Sequence, residues 1–264
     1  MRMNDKVALV TGGASGIGEA CARRFAQAGY RVALVDRDRE RAGSVAEDIA
    51  GHGAECRAHV ADVADPDAVG AAVAAVVADW GRIDACVTAA GVLETVSTVM
   101  EMDLAAHDRV WQVNYNGTLH TCRAVGRVMQ GQGSGAIVTL GSINSFAALP
   151  LPAYCPSKTA ILRLTELLAV ELGRFGVRVN GVAPTYVLTP AVQAKIDSGE
   201  RDAQAIRRSN ALGIFVEPAD VAEVVAFLCS DAARAVSGVM LPVDAGHLST
   251  DHYFSFAGGV PWRR

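Results

Sequence analysis

Tyr154 and Lys158 stand four residues apart in Tyr154-Cys155-Pro156-Ser157-Lys158. On a helix, positions i and i+4 are neighbours, so the phenol and the ammonium would share one face. A phenol with an unperturbed pKa of about 10 handles protons poorly at neutral pH. An adjacent cation favours the phenolate and brings the group towards the range where general acid–base catalysis works best. The same spacing arises by chance in solvated helices, so the chemical reading depends on what the rest of the chain supplies.

It supplies, first, Thr11-Gly12-Gly13-Ala14-Ser15-Gly16-Ile17-Gly18 directly after the apolar run Val7-Ala8-Leu9-Val10. A strand, a glycine-rich turn and a helix in that order let backbone approach a pyrophosphate at a helix N-terminus. The turn, then Asn114, Ser142 and the Y-x-x-x-K pair, in that order and at these distances, resembles the short-chain dehydrogenase/reductase family over roughly residues 5 to 246. The resemblance implies four catalytic residues. Tyr154 would exchange a proton with the substrate oxygen, and Ser142 would hydrogen-bond the same oxygen. Lys158 would lower the tyrosine pKa and contact the nicotinamide ribose, and Asn114 would disturb its helix so that a backbone carbonyl holds a relay water. Ser142 lies twelve residues before Tyr154, where thirteen is the commoner spacing, and Ser145 is the runner-up.

The resemblance also implies NAD as cofactor, with Gly12, Ser15, Gly16, Ile17 and Gly18 at the pyrophosphate. Asp36 closes the second apolar run and can accept hydrogen bonds from the adenosine ribose, with Arg37 beside it. Asp62-Val63 would hold the adenine edge. Thr88-Ala89-Ala90-Gly91 stands where the family commonly has Asn-Asn-Ala-Gly, which keeps backbone approach at Ala89, Ala90 and Gly91 but loses the asparagines that brace the central strand. Pro184, Val187 and Thr189 would flank the nicotinamide, and Thr185 replaces the usual glycine, placing a β-carbon and hydroxyl in the pocket floor. Tyr154 and Lys158 would touch the cofactor too.

These residues must be positioned by regular elements. Apolar runs at 7–10, 32–35, 56–60, 85–89, 136–140, 177–182 and 239–243 alternate with longer helical patterns. Continuous hydrophobicity suits strands covered on both faces, joined by parallel crossovers. The expectation is an α/β fold: a single-domain, Rossmann-type, doubly wound parallel sheet of about seven strands with helices on both faces. Residues 102–131 read as one long helix. Residues 186–215 read as a substrate lid and 247–264 as an aromatic tail, with Tyr253, Phe254, Phe256 and Trp262, docked at a subunit interface.

A chain of 264 residues with 51% hydrophobic content supports one large core. A net charge of −4 gives no broad basic surface, which argues against nucleic acid as a partner. No apolar stretch reaches membrane-span length, and a cytoplasmic location is expected. The six cysteines lack C-x-x-C spacing, so neither a metal site nor a disulfide framework is expected. Only three lysines occur, which adds a compositional hint in favour of Lys158.

The function expected is NAD-dependent hydride transfer between nicotinamide and a secondary alcohol or ketone. The polar candidates Glu94, Ser142, Asn144, Tyr154, Thr185 and Tyr186 lean towards a polyol, sugar or vicinal diol. The apolar candidates Val92, Leu93, Phe146, Leu149 and Leu188 suit a cyclic or aromatic alcohol instead. A 3-ketoacyl reductase is a further alternative, against which Ser15 and Asp36 speak, and a non-catalytic NAD-binding regulator is the alternative of another class. Self-association as a homotetramer, or a dimer, through helices near 102–131 and 153–174 is expected.

Overall fold

In the computed structural model, which describes residues 6–255, 257 and 259, the chain begins with β1 (Val7–Thr11), whose five residues are all buried. Its odd and even side chains enter different cores. Val7 and Leu9 join one hydrophobic cluster and Ala8 and Val10 the other, as the period of two requires of a strand covered on both faces. The remaining strands are β2 (Arg31–Asp36), β3 (Cys56–Val60), β4 (Ala85–Thr88), β5 (Gly135–Leu140), β6 (Val177–Pro184) and β7 (Met240–Val243). They form one sheet in the order β3-β2-β1-β4-β5-β6-β7 with every pairing parallel.

Helices α1 (Gly16–Gln27), α2 (Arg39–Gly51), α3 (Pro66–Trp80), α4 (Leu104–Trp111), α5 (Gly117–Gln132) and α6 (Tyr154–Gly173) follow the strands, then α7 (Pro190–Asp197), α8 (Ala203–Arg208), α9 (Pro218–Cys229) and α10 (His247–Phe254). Apolar residues of α3, α5 and α6 cover one face of the sheet, and those of α1, α2 and α9 cover the other. Helix starts follow local chemistry. Asp65 caps α3 by accepting from the N–H groups of Asp67 and Ala68, with Pro66 at the first helical position, and Asp103 caps α4 through Ala105. Strand order reverses between β1 and β4, so the crevice outside their C-terminal ends is where this topology places ligands.

Three expectations change. The long helix over 102–131 is divided by a π-helical turn at Gln112–Asn116, between α4 and α5. The 186–215 segment carries two short helices, α7 and α8. Strands β3 and β7 are the two edges of the sheet and are not fully covered: Val60 and Leu241 are exposed. The six cysteines are unpaired, and five are buried. Burial pushes the thiols of Cys122 and Cys229 up to about 12, and Cys155 donates to the Leu149 carbonyl. Among the described residues, no helix is long and apolar enough to cross a membrane and no metal-binding cluster occurs.

Candidate active site

At the switch point the β1–α1 turn is shaped by two glycines. Gly12 has φ +66°, and a β-carbon there would lie 2.7 Å from the Ala90 backbone; one on Gly18 would lie 2.1 Å from the Gly12 carbonyl oxygen. No side chain could be accommodated at either place without moving backbone. Ser15 occupies the N-cap of α1 in extended conformation and its hydroxyl caps nothing, so the first N–H groups of the helix lack a side-chain acceptor from it. Gly12, Ser15, Gly16, Ile17 and Gly18 line a cleft of about 460 Å³. A cleft walled by backbone at a helix N-terminus fits a dinucleotide pyrophosphate.

Asp36 and Arg37 line the same cleft at the end of β2. The Asp36 carboxylate is oriented by two backbone donors, accepting from Ala14 N–H at 3.1 Å and Asp38 N–H at 3.0 Å. Asp62 and Val63 lie across from them after β3. Asp62 accepts from the Ala64 N–H at 3.0 Å and from Arg109 at 3.2 Å. The Ala64 N–H, with the Arg109 guanidinium, holds its carboxyl below the ordinary value. Arg109 lines the cleft and was missed by sequence reasoning. Nothing in its local sequence marks it: α4 and the π-helical turn bring it and Val113 to the cleft.

Ala89, Ala90 and Gly91 form the cleft wall beyond β4. The bracing lost with the family's asparagines is partly supplied by Thr11, which accepts the Ala90 N–H at its hydroxyl and the Ala89 N–H at its carbonyl. The Thr88 hydroxyl is buried without a partner. Asn114, fully buried in the π-helical turn, accepts the Val92 N–H at 2.8 Å and donates to the Val92 carbonyl at 3.0 Å. Its side chain thus pins the loop after β4, while its own carbonyl accepts from Thr118 at 2.7 Å. Asn116 bonds locally to Gln112.

Tyr154, half-buried, opens α6, and Lys158, buried, follows one turn on. The Lys158 ammonium donates to the Leu140 carbonyl at 2.7 Å and lies 5.4 Å from the Tyr154 ring centroid. Burial pushes the phenol up to about 12, with the Ser142 hydroxyl pulling the other way. Burial also lowers Lys158 to about 8. The lysine is directed at a carbonyl, and loss of solvent is the largest cause of both shifts. Ser142 sits after β5, where its hydroxyl accepts the Asn144 N–H at 3.2 Å. Ser145 is removed as the alternative, because its hydroxyl donates to the Lys158 carbonyl at 2.8 Å and anchors α6.

A second cavity, of about 330 Å³, adjoins the first; Tyr154, Leu93 and Ile17 line both. Asn144, Thr185 and Tyr186 reach it, as do Pro184, Val187 and Thr189. Asn144 Oδ1 and the Thr185 hydroxyl are buried without partners. Thr189 also caps α7 through Val192. Glu94 does not belong to this set. Its carboxylate accepts the N–H groups of Ala153 and Tyr154, so an acid read as a substrate ligand is a helix cap. Phe146 is half exposed, and neither it nor Leu188 lines the cavity. Much of the wall is apolar, from Leu93, Val96, Leu140, Leu149, Leu151 and Val192. Lys195 and Arg201, which sequence reasoning passed over, line it as well.

In the segment that starts at 247, His247 meets Ser209 at 3.1 Å and Tyr186 edge-on at 6.3 Å, and Thr250 donates to the Ser209 carbonyl. Phe256 and Trp262 lie outside the described residues.

Residues 12–247 match the family model described as enoyl-(acyl carrier protein) reductase. The chain is 40% identical to D-threitol dehydrogenase of Mycolicibacterium smegmatis, over 93% of this chain and 94% of that protein. It is 39% identical to cyclohexanol dehydrogenase of a Rhodococcus species, over 92% and 96%. The solved structure of NAD+-bound xylitol dehydrogenase superposes with a TM-score of 0.88 at 33% identity, covering 93% of this chain and 100% of that one. With the glycine turn, the Tyr154–Lys158 pair and the sheet order all in place, the chain belongs to the short-chain dehydrogenase/reductase family of nicotinamide-dependent oxidoreductases.

Proposed function

We propose that the protein is an NAD-dependent dehydrogenase of secondary alcohols, with alicyclic alcohols favoured as substrates. The observation that carries the reading is that Tyr154 lines both the dinucleotide cleft and the smaller cavity. A proton-transfer group at that junction touches the reacting oxygen of one ligand while the other supplies redox chemistry.

The nicotinamide, when bound, accepts or supplies the hydride. The protein's residues manage the proton. Ser142 donates a hydrogen bond to the substrate oxygen and orients it towards the Tyr154 phenol. In ketone reduction Tyr154, protonated at neutral pH by its buried setting, donates its proton to the developing alkoxide. In alcohol oxidation the Tyr154–Lys158 pair must first lose a proton, and the lysine is the group whose pKa allows it near pH 8. The phenol proton then passes to the neutral Lys158 amine, and the phenolate left behind takes the alcohol proton while the Lys158 ammonium balances its charge. Asn114 fixes the loop after β4 against the π-helical turn, keeping Leu93 in the wall shared by both cavities.

NAD, rather than NADP, is supported by Asp36, an acid oriented by two backbone donors where the adenosine ribose would lie. The alicyclic preference is supported by the apolar wall and by the similarity to cyclohexanol dehydrogenase. A polyol is the second reading. The unpartnered Asn144 Oδ1 and Thr185 hydroxyl favour it, since each needs a hydrogen-bond partner that a substrate hydroxyl supplies, and threitol and xylitol dehydrogenases are among the relatives. A homotetramer is proposed from the exposed apolar residues Leu104 on α4 and Leu167 and Val170 on α6. Six unpaired thiols suit a reducing compartment, and the cytoplasm is the proposed location.

Formation of NADH by purified protein, assayed with cyclohexanol, threitol and xylitol, tests the proposal. Turnover of the alicyclic alcohol above the polyols is expected; absence of NAD-linked oxidation with all three would overturn it.

A further inference from the structure

The substrate cavity carries a charge pattern that a neutral alcohol leaves unused. Lys195 and Arg201 line it, and among the described residues no aspartate or glutamate does. The two cations are not equivalent. Lys195 is committed to Glu200 at 2.7 Å, whereas Arg201 makes no salt bridge among the described residues and acts on Glu200 only through space, helping to lower that carboxyl. The Arg201 guanidinium instead lies over the Tyr186 ring, 5.9 Å from its centroid. Its backbone N–H donates to the Lys195 carbonyl at 2.9 Å, fixing the base of the side chain. Tyr186 is itself in edge-on contact with His247, 6.3 Å between ring centroids.

We propose that Arg201 forms an anion subsite in this cavity and that the substrate is a hydroxy acid, an alicyclic secondary alcohol bearing a carboxylate. The guanidinium presents planar, forked donors that match a carboxylate, and the contact with the Tyr186 ring uses none of those N–H groups. One uncommitted cation suits a monoanion better than a phosphate dianion. The apolar wall takes the ring, and the buried, unpartnered Asn144 Oδ1 receives a hydrogen-bond donor from a ring substituent. The hydroxyl end of this assignment rests on the dehydrogenase reading above, while the carboxylate end rests on Arg201 alone.

The test is calorimetric titration of the full chain with NAD present, using cyclohexanecarboxylate and cyclohexanecarboxamide, which match in shape and differ in charge. Charged hydrogen bonds of this kind predict about tenfold or greater preference for the carboxylate, shrinking as salt is added. Arg201→Ala is expected to reduce the preference to about threefold or less, and Arg201→Lys to retain part of it, on the same scale. Undetectable carboxylate binding, equal affinities in the wild type, or an undiminished preference in Arg201→Ala overturns the subsite. Rates with cyclohexanol and a hydroxycyclohexane carboxylate separate the two readings. Carboxylate preference in binding with neither alcohol oxidised upholds the subsite and sinks the dehydrogenase assignment. Oxidation of both alcohols with no carboxylate advantage does the reverse.

Discussion

Glu94 accepts the backbone N–H of Tyr154 at 2.7 Å, so an acid from the loop after β4 caps the helix that presents the phenol. Ala153, at the N-cap of α6, has no side-chain oxygen with which to do so. The same carboxylate takes the Ala153 N–H at 2.9 Å. The loop is in turn held by Asn114 through Val92. Helix start, loop and π-helical turn thus form one connected support behind Tyr154.

Glu94→Ala should therefore cost about 1 kcal/mol of stability, the scale of a lost cap, and should lower kcat more than it raises KM for the alcohol. Glu94→Gln keeps an acceptor oxygen and should recover most of the loss. Thermal unfolding and steady-state kinetics of both variants check this. Equal kcat in Glu94→Ala and wild type would remove Glu94 from any role in placing the phenol.

The shifted groups set the pH dependence. The first proton to leave the Tyr154–Lys158 pair is the lysine's, near pH 8, because the phenol is pushed up to about 12. The pair with one proton removed is the base form, whichever atom keeps the other. Alcohol oxidation should rise with pH through that midpoint, and ketone reduction should fall through it. Tyr154→Phe should lower kcat by about a hundredfold or more, as loss of a general acid–base group does, with NADH binding retained. An oxidation profile flat from pH 6 to 10, with chemistry shown to be rate-limiting, would contradict the relay.

Strand number, parallel pairing and the cofactor turn were legible because they rest on patterns local in sequence: apolar runs of strand length alternating with helices, and a glycine-rich turn after the first of them. The site's electrostatics were less so. Glu94 is 60 residues from Tyr154, and nothing near either residue marks the contact; only the fold places an acid over a helix end that lacks its own cap. The setting of Tyr154 was hidden for a related reason. Spacing reveals a neighbouring lysine but not the burial that outweighs it, nor the Leu140 carbonyl that claims its ammonium. Arg201 was hidden in a segment read as a polar lid, where an arginine is ordinarily solvated.

Residues from Gly246 onward should matter to the substrate cavity. His247 supports Tyr186, and His247 and Thr250 engage Ser209 in the segment after α8. Truncation after Gly246 removes these contacts and should raise KM for the alcohol, with little change in NAD affinity because no lining of the dinucleotide cleft is lost. It should also weaken the proposed tetramer. Size-exclusion chromatography with light scattering and initial rates would show this. Unchanged assembly and kinetics in the truncated chain would contradict a docked tail.

Cofactor choice turns on Asp36. NAD and NADP differ at the adenosine 2′ position, a hydroxyl in one and a phosphate in the other. The Ala14 and Asp38 N–H groups hold the Asp36 carboxylate in place without neutralising it, so it can accept from a ribose hydroxyl and repel a phosphate. Two unit charges about 4 Å apart at an effective dielectric near 20 interact by about 4 kcal/mol, a large preference even after screening. Arg37 and Arg41 line the same cleft and oppose this by attracting phosphate. Both start in water, however, and must be ordered against an acid already in position, so the carboxylate should prevail. The expectation is about tenfold or higher kcat/KM with NAD than with NADP, or about 1.4 kcal/mol. Asp36→Ala should narrow the gap mainly by improving NADP use, and adding Arg37→Ala should take that improvement away. Comparable kcat/KM for the two cofactors in the wild type would show that Asp36 does not select between them.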